Sequence, residues 1–125
     1  MTPSTQDARA TGLVELAVRC EQATGADFNL DIDIGIALDR APDAFTASLD
    51  AAMSLVPADM AFLLDWLRYD GKGDRPVYWE AFVQFIDDAV NRGNSEAATP
   101  ALALTAAALR ARALAASTKD QPHDA

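Results

Sequence analysis

The segment TPALALTAAALRARALAAS, residues 99–117, constrains the fold more than any other part of the chain. Thr99 is a residue type that caps helix N-termini, and Pro100 follows it at the first helical position, where a backbone N–H is not needed. Apolar side chains recur at helical spacing along one face: Leu102, Ala106, Leu109 and Ala113. The segment therefore predicts a long C-terminal helix, and its many alanines favour close packing against a neighbouring element.

Two further helices are predicted before the middle of the chain. The first runs from Asp7 to about Gly25, a residue type that often ends helices, and its apolar stripe consists of Leu13, Leu16, Ala17 and Cys20. The second spans 46–57, with Thr46 as its cap and Pro57 at its end. Its expected inner face consists of Leu49, Ala52, Met53 and Val56.

The segment DFNLDIDIGIAL, residues 27–38, allows three interpretations. Its aspartates suggest a calcium loop, but counting from Asp27 the sixth position is Ile32 instead of glycine and the twelfth is Leu38 instead of glutamate. The alternation of apolar residues also fits a strand, which stays the alternative. The spacing favours a helix capped by Asp27, with Ile32 and Ile36 widening its apolar face so that it is buried on more than one side.

The middle of the chain is rich in aromatic residues. Two such runs, 60–70 and 76–87, flank the glycine-containing segment DGKGDR, which predicts a β-hairpin across residues 60–87. The second run also has polar residues at helical spacing, so helix and strand remain open there, with strand favoured. The segment NRGNSE, residues 91–96, is interpreted as a loop.

Together these elements predict an α+β fold of about three helices on a small antiparallel sheet, with the long C-terminal helix across one face. At 125 residues, the chain is expected to be a single domain over 1–118 with a disordered tail at 119–125. It has no pattern of a signal peptide and no apolar run long enough for a membrane helix, so we expect a cytoplasmic protein without membrane contact.

The residues needed for common catalytic sites are scarce. The single cysteine, Cys20, lies in an apolar stripe and is interpreted as a buried side chain, and the single histidine, His123, lies in the polar tail. The glycines of residues 69–74 lack the strand–helix context of a phosphate-binding loop. We therefore expect no enzyme activity, no cofactor and no metal ion.

The charge is concentrated in the first half of the chain. Residues 1–67 carry eleven acidic and three basic residues, whereas 68–125 carry eight and seven. Such an acidic half disfavours direct nucleic-acid binding and favours a basic protein partner, although a merely solubilising surface fits the charge as well. The carboxylates and aromatic side chains that we name as candidate partner-binding residues are Asp31, Asp33, Asp65, Trp66, Tyr69, Tyr78 and Trp79.

Three segments carry a resemblance to a known family: EQATGADFNLDIDIGIAL, FTASLDAAMSLVP and AATPALALTAAALRARAL. In order and spacing they resemble the phage ABA sandwich domain family and its relatives in alphaproteobacterial prophages. They cover about half of the chain, and the aromatic middle segment is longer than is typical of such proteins. The resemblance implies a phage-encoded protein with helices packed on a small antiparallel sheet, acting in the host cytoplasm, and it brings no catalytic residues.

The leading functional hypothesis is a non-enzymatic accessory protein that occupies a host or phage protein surface. A sharper form is an anti-defence inhibitor, such as an anti-CRISPR, whose carboxylates stand in for nucleic-acid phosphates. The alternative hypothesis is a structural or assembly component of a phage or gene-transfer particle, forming homo-oligomers through alanine-rich helices.

Overall fold

The computed structural model describes residues 5–67, 78–85 and 88–120, and the surroundings of side chains within 8–65, 79–84 and 93–116. In chain order the elements are α1 (Thr5–Gln22), α2 (Phe28–Leu38), α3 (Leu49–Met53), β1 (Met60–Leu67), β2 (Tyr78–Phe85), β3 (Asp88–Ala97) and α4 (Pro100–Asp120). The strands form an antiparallel sheet in the order β1-β2-β3. The α+β class, the strand hairpin and the long C-terminal helix are confirmed.

Helix α4 is the centre of the described structure. Every residue from Ala101 to Leu109 is buried, which places side chains of all its faces inside the protein. The helix packs against β2 and β3 on one side and against α1 and α3 on others. Its N-terminus is capped as expected, because the backbone N–H of Leu102 donates to Oγ1 of Thr99 at 3.2 Å.

The sheet approaches α4 through small side chains. Directly across the sheet, Val83 pairs with Gly93 and Ala81 pairs with Ser95, and all four residues are buried. At Gly93 the strand lies against the helix backbone, since an added Cβ would sit 2.6 Å from the nitrogen of Ala111. A side chain at this position would therefore separate β3 from α4.

Strand β3 corrects the interpretation of residues 91–96 as a loop. The segment has few β-branched or aromatic residues, so propensity alone disfavours a strand. What makes it a strand is its alternation of small residues, Gly93, Ser95 and Ala97, on the side that meets α4. Tertiary packing of these small side chains against α4 therefore outweighs the low strand propensity of the segment.

Helix α2 confirms the favoured interpretation of residues 27–38. Oδ1 of Asp27 accepts a hydrogen bond from the backbone N–H of Leu30 at 3.1 Å, which is the predicted cap. The helix ends at Asp39, whose left-handed φ of 55° allows its backbone N–H to bond back into the last turn. Burial on more than one side is wrong: Phe28 and Ile36 are 75% and 72% exposed.

The predicted helix over 46–57 is shorter than expected. Helix α3 starts at Leu49, and its cap is Ser48, whose hydroxyl accepts from the backbone N–H of Ala51 at 3.2 Å. Its buried side is formed by Ala51 and Ala52, with Leu55 following the helix, whereas the expected inner residues Leu49 and Met53 are exposed.

Thr46 is not a helix cap, because its hydroxyl and its backbone N–H form hydrogen bonds within a buried polar cluster. Its hydroxyl accepts from the backbone N–H of Asp27 at 2.8 Å, and its own N–H donates to Oδ1 of Asp31 at 2.8 Å. One residue earlier, the carbonyl of Phe45 accepts from Oγ1 of Thr105 in α4 at 2.8 Å. These bonds fix the α2–α3 connection to the start of α2 and to the central helix.

Helix α1 is joined to α4 by burial and by one ion pair. Leu13, Leu16, Ala17 and Cys20 are all buried, as the apolar stripe predicts. The guanidinium of Arg110 donates two hydrogen bonds to the carboxylate of Glu21, at 2.9 and 2.6 Å. That contact raises the pKa of Arg110. None of the described helices is long and apolar enough to cross a lipid bilayer.

Candidate protein-binding surfaces

The two aspartates predicted from α2 have different environments. Asp31 is only 6% exposed, and its carboxylate is engaged by the backbone of Thr46, so it holds the fold together and we exclude it from the surface available to a partner. Asp33 is about half exposed and forms an ion pair with Arg19 of α1 at 2.8 Å. Its charge is therefore balanced locally.

Of the four aromatic candidates in the hairpin, only Trp79 has a side chain within the described part of the structure. Trp79 is partly buried and packs against the hydrophobic core on the helix side of the sheet. Trp66 pairs with Trp79 across the strands, and Tyr78 pairs with Leu67, but the side chains of Trp66 and Tyr78 are outside the described part of the structure. Tyr69 lies outside the described residues altogether.

Asp65 belongs to a row of carboxylates that crosses the whole sheet. It pairs directly with Glu80 of β2, and Glu80 pairs directly with Glu96 of β3. Paired residues of neighbouring strands point to the same side, so the row lies on the face turned away from α4. Adjacent strands are about 4.8 Å apart, which puts the three backbone positions within roughly 10 Å of one another.

This face, which we call the open face, is covered by none of the described helices. Asp65 and Glu96 are exposed, as is Asn94, which pairs with Phe82 next to the row. Next to the row, Leu63 is 56% exposed and pairs with Phe82, which is partly exposed. The open face thus combines an acidic row with an accessible apolar side chain.

Glu80 and Glu96 were missed as candidates from the sequence. Glu96 was placed in a loop, and a strand pairing between positions 80 and 96 cannot be deduced when one of the strands is not recognised. The available signal was the alternation of Asn94 and Glu96 with the small residues that meet α4.

A second surface feature is an apolar stripe on α2. Phe28, Ile32 and Ile36 follow one another at four-residue steps, so their side chains lie along one side of the helix. Phe28 and Ile36 are largely exposed, and Ile32 between them is partly exposed. Contiguous apolar surface of this kind marks sites where other molecules bind.

The α2 stripe and the open face are on different parts of the molecule. Among the described elements α2 packs only on α1, and it contacts none of the strands. The open face points away from the helices that separate the sheet from α2. The two surfaces can therefore bind separate molecules at the same time.

Two further side chains, Cys20 and Arg112, are embedded in the fold. Cys20 is fully buried, and burial, with the nearby charges of Glu21 and Asp31 as smaller causes, raises the pKa of its thiol to about 12. Arg112 donates to the carbonyl of Leu55 at 2.8 Å, and its pKa is lowered by burial and by neighbouring arginines. Within the described residues no group of three or more His, Cys, Asp or Glu side chains is arranged to hold a metal ion.

Comparison with family models, with curated proteins and with solved structures found no match to this chain. The resemblance to the phage ABA sandwich domain family therefore stays a prediction, carried by the three segments quoted above.

Proposed function

We propose that this chain is a non-enzymatic acidic protein that binds a basic protein surface through the open face of its sheet. The observation that carries the proposal is the row Asp65, Glu80 and Glu96, placed beside the exposed Leu63. Like charges at directly paired strand positions destabilise a sheet. A cationic partner would lower this repulsion, and the net charge of −9 favours such a partner.

The partner that suits this surface is a basic, nucleic-acid-binding protein. Carboxylates spaced by neighbouring strands present regularly repeated negative charge, which is what a phosphate-binding groove recognises. In a phage-encoded protein acting in the host cytoplasm, this chemistry supports an anti-defence role, in which the open face competes with nucleic acid for a host protein. The exposed Leu63 adds an apolar contact that nucleic-acid phosphates do not provide.

The alternative, a particle component that self-associates through alanine-rich helices, requires alanines on the molecular surface. The alanines in the first half of α4 are buried inside the chain, including Ala101, Ala103, Ala106, Ala107 and Ala108. That half of α4 is therefore already packed inside the fold, and we do not propose it as an interface.

The experiment is affinity capture from an alphaproteobacterial lysate at low salt, followed by elution with increasing salt. The test variant combines Asp65→Lys with Glu96→Lys, and the matched control combines Glu15→Lys with Asp59→Lys, which changes the net charge equally at exposed positions elsewhere. We expect the unmodified chain and the control to retain the same basic, nucleic-acid-binding protein, and the test variant to lose it.

Salt should release that protein, because rising ionic strength shortens the screening length, from about 10 Å at 0.1 M to about 3 Å at 1 M, and so weakens the attraction between exposed charges. Equal retention by the test variant and the control would contradict the role of the open face. Capture that is insensitive to salt would contradict a charge-based function.

A further inference from the structure

Two arginines from different elements meet at the carbonyl end of α3. Nε of Arg112, in α4, donates to the carbonyl of Leu55 at 2.8 Å, and Nη1 of Arg40 donates to the carbonyl of Ser54 at 3.3 Å. Ser54 and Leu55 are consecutive residues, and consecutive Cα atoms are about 3.8 Å apart. The two guanidinium groups are therefore brought to the same place in the fold.

Arg9 of α1 completes this group, which together with Arg40 and Arg112 we call the arginine cluster. The pKa of Arg112 is lowered mainly by burial and further by the positive charges of Arg40 and Arg9, so both of these side chains lie near it. No carboxylate of the described residues opposes this effect. Arg112 is partly buried, whereas Arg9 and Arg40 are exposed, so the cluster is accessible from solvent.

The other arginines whose side chains the structure describes have carboxylate partners. Arg19 forms an ion pair with Asp33 at 2.8 Å, and Arg110 forms one with Glu21 at 2.6 Å. The members of the arginine cluster have no such partner within the described part of the chain. This is unexpected in a chain with 19 acidic and only 10 basic residues, since carboxylates are plentiful.

The cluster keeps hydrogen-bond donors to spare. The carbonyls at the end of α3 accept one N–H from Arg40 and one from Arg112. A guanidinium carries several further N–H groups in a planar fork, and among the described residues those of the cluster have no acceptor. A partly buried positive charge beside two others is unfavourable. A bound anion would supply both the missing acceptors and the opposite charge.

We propose that the arginine cluster binds a phosphoryl group, either as free inorganic phosphate or as the phosphate of a small phosphorylated molecule. Guanidinium forks match the geometry of phosphate oxygens, which can accept from more than one arginine at once. A carboxylate offers two oxygens and a single charge, so it satisfies one fork and leaves the rest of the cluster unpaired. Phosphate carries more negative charge and offsets more of the repulsion within the cluster.

The net charge of −9 opposes anion binding at long range but not at the point of contact. At 0.15 M ionic strength the screening length is about 8 Å, so carboxylates elsewhere on the surface act weakly on a bound anion. The guanidinium groups that touch the anion are not screened from it. We expect binding in the millimolar range at this ionic strength.

Nuclear magnetic resonance of the purified chain tests the proposal. Sodium phosphate is titrated at constant ionic strength, with sodium chloride as the balancing salt. We expect saturable changes in the side-chain Nε–H signals of the arginine cluster, and none at Arg19, whose guanidinium is held by Asp33. Changes that do not saturate, or that are equal at Arg19 and at the cluster, would overturn the proposal.

Arg9→Gln is the main variant, because Arg9 is exposed and forms no hydrogen bond through its side chain within the described structure. Arg19→Gln is the matched control, since it removes the same charge from an exposed position of the same helix. We expect Arg9→Gln to raise the dissociation constant for phosphate at least roughly fivefold, because one charged donor is lost. Arg19→Gln should leave it unchanged, and equal effects of the two variants would overturn the proposal.

Two further ligands identify the chemistry and its source. Sodium acetate should bind more weakly than phosphate, and equal affinity would overturn the assignment of a phosphoryl group. Adenosine monophosphate carries the phosphoryl group on a larger molecule. Tighter binding of this nucleotide than of inorganic phosphate assigns the site to a phosphorylated molecule, and equal or weaker binding assigns it to the free ion. If neither binds, the proposal is wrong.

The arginine cluster is independent of the proposed function. Its members lie on α1, on α4 and directly after α2, whereas the open face belongs to the strands. A chain that captures no basic protein can still bind phosphate at the cluster, and a chain without phosphate binding can still capture the protein. The two experiments therefore fail separately.

Discussion

At the scale of single residues, the buried carboxylate of Asp31 joins two segments that local sequence does not connect. Its Oδ1 accepts from the backbone N–H of Thr46, which is fifteen residues away, and both residues are buried. An N–H left without an acceptor in such a place costs more than the bond itself contributes. The residue is thus structural, even though its sequence neighbourhood resembled a ligand-binding loop.

Replacing Asp31 by alanine should lower the free energy of unfolding by about 2 kcal/mol, because the N–H of Thr46 loses its acceptor. Asp31→Asn keeps an acceptor oxygen and should cost roughly half as much. The matched control is Asp33→Ala, whose partly exposed ion pair with Arg19 is worth less than about 1 kcal/mol. Urea denaturation of the three variants measures the difference, and equal losses for Asp31→Ala and Asp33→Ala would contradict the structural role.

Cys20 predicts a specific dependence of stability on pH. In the unfolded chain the thiol ionises near its ordinary pKa of 9.0, whereas in the folded chain its pKa is about 12. Between these values the unfolded chain loses a proton that the folded chain keeps, so the free energy of unfolding falls as pH rises. Below pH 9 both forms are protonated, and the thiol adds no pH dependence.

The expected slope is at most about 1.4 kcal/mol per pH unit within this window. Urea denaturation of the natural chain and of Cys20→Ala at about pH 8 and about pH 10 isolates the effect, because all other titrating groups are shared. The stability advantage of the natural chain should shrink at the higher pH. An advantage that stays constant would show that the thiol ionises equally in both states.

At the scale of elements, the close contact between β3 and α4 depends on Gly93. An alanine there would bring its Cβ within 2.6 Å of the nitrogen of Ala111 and still closer to the carbonyl oxygen of Ala107. These are backbone atoms of the central helix and cannot rotate away. We expect Gly93→Ala to lower the free energy of unfolding by about 3 kcal/mol, by forcing the strand off the helix.

Gly12 supplies the control for that substitution. It lies inside α1, and an added Cβ meets nothing within 4 Å. Gly12→Ala should therefore raise the stability by up to about 1 kcal/mol, because alanine favours the helix. Thermal unfolding of the two variants should move in opposite directions, and a mild effect of Gly93→Ala would mean that β3 does not lie directly on α4.

These elements also show how much of the fold can be predicted from the sequence alone. Capping residues and apolar periodicity are sufficient to predict α4 and α2. Thr99 and Asp27 each accept a hydrogen bond from the backbone N–H three residues later, so the signal lies within one short segment. Strand β3 was missed because its pairing depends on a helix that follows it and on a strand that precedes it. Thr46 was taken for a cap because its real partners, Asp27 and Asp31, are at least fifteen residues away.

The candidate surfaces were predictable to different degrees. The acidic and apolar residues of the first half were recognised, yet the sequence pattern of α2 could not distinguish an exposed stripe from a buried one. A helix of eleven residues with apolar side chains on several sides is expected to be buried all round. Which of its sides have neighbours can be seen only in the folded structure. Only the arrangement of α1 beneath α2 shows which of them stay exposed.

At the scale of the whole molecule, the chain places an acidic sheet face and an apolar helix stripe on separate parts of one small fold. Sites with no shared contacts usually act additively. A molecule bound at the stripe would therefore leave the affinity of the open face for a basic partner unchanged.

This separation predicts that substitutions at one surface leave the other intact. Ile36→Asp should retain salt-sensitive capture of a basic partner at the open face. Conversely, the double change Asp65→Lys and Glu96→Lys reduces the net charge from −9 to −5, since each replaces a negative by a positive charge. Capture of the basic partner should then be lost.

Affinity capture carried out on both variants measures the two responses. Loss of the basic partner from Ile36→Asp would show that both surfaces serve a single interface, since a charge on α2 then acts at the sheet.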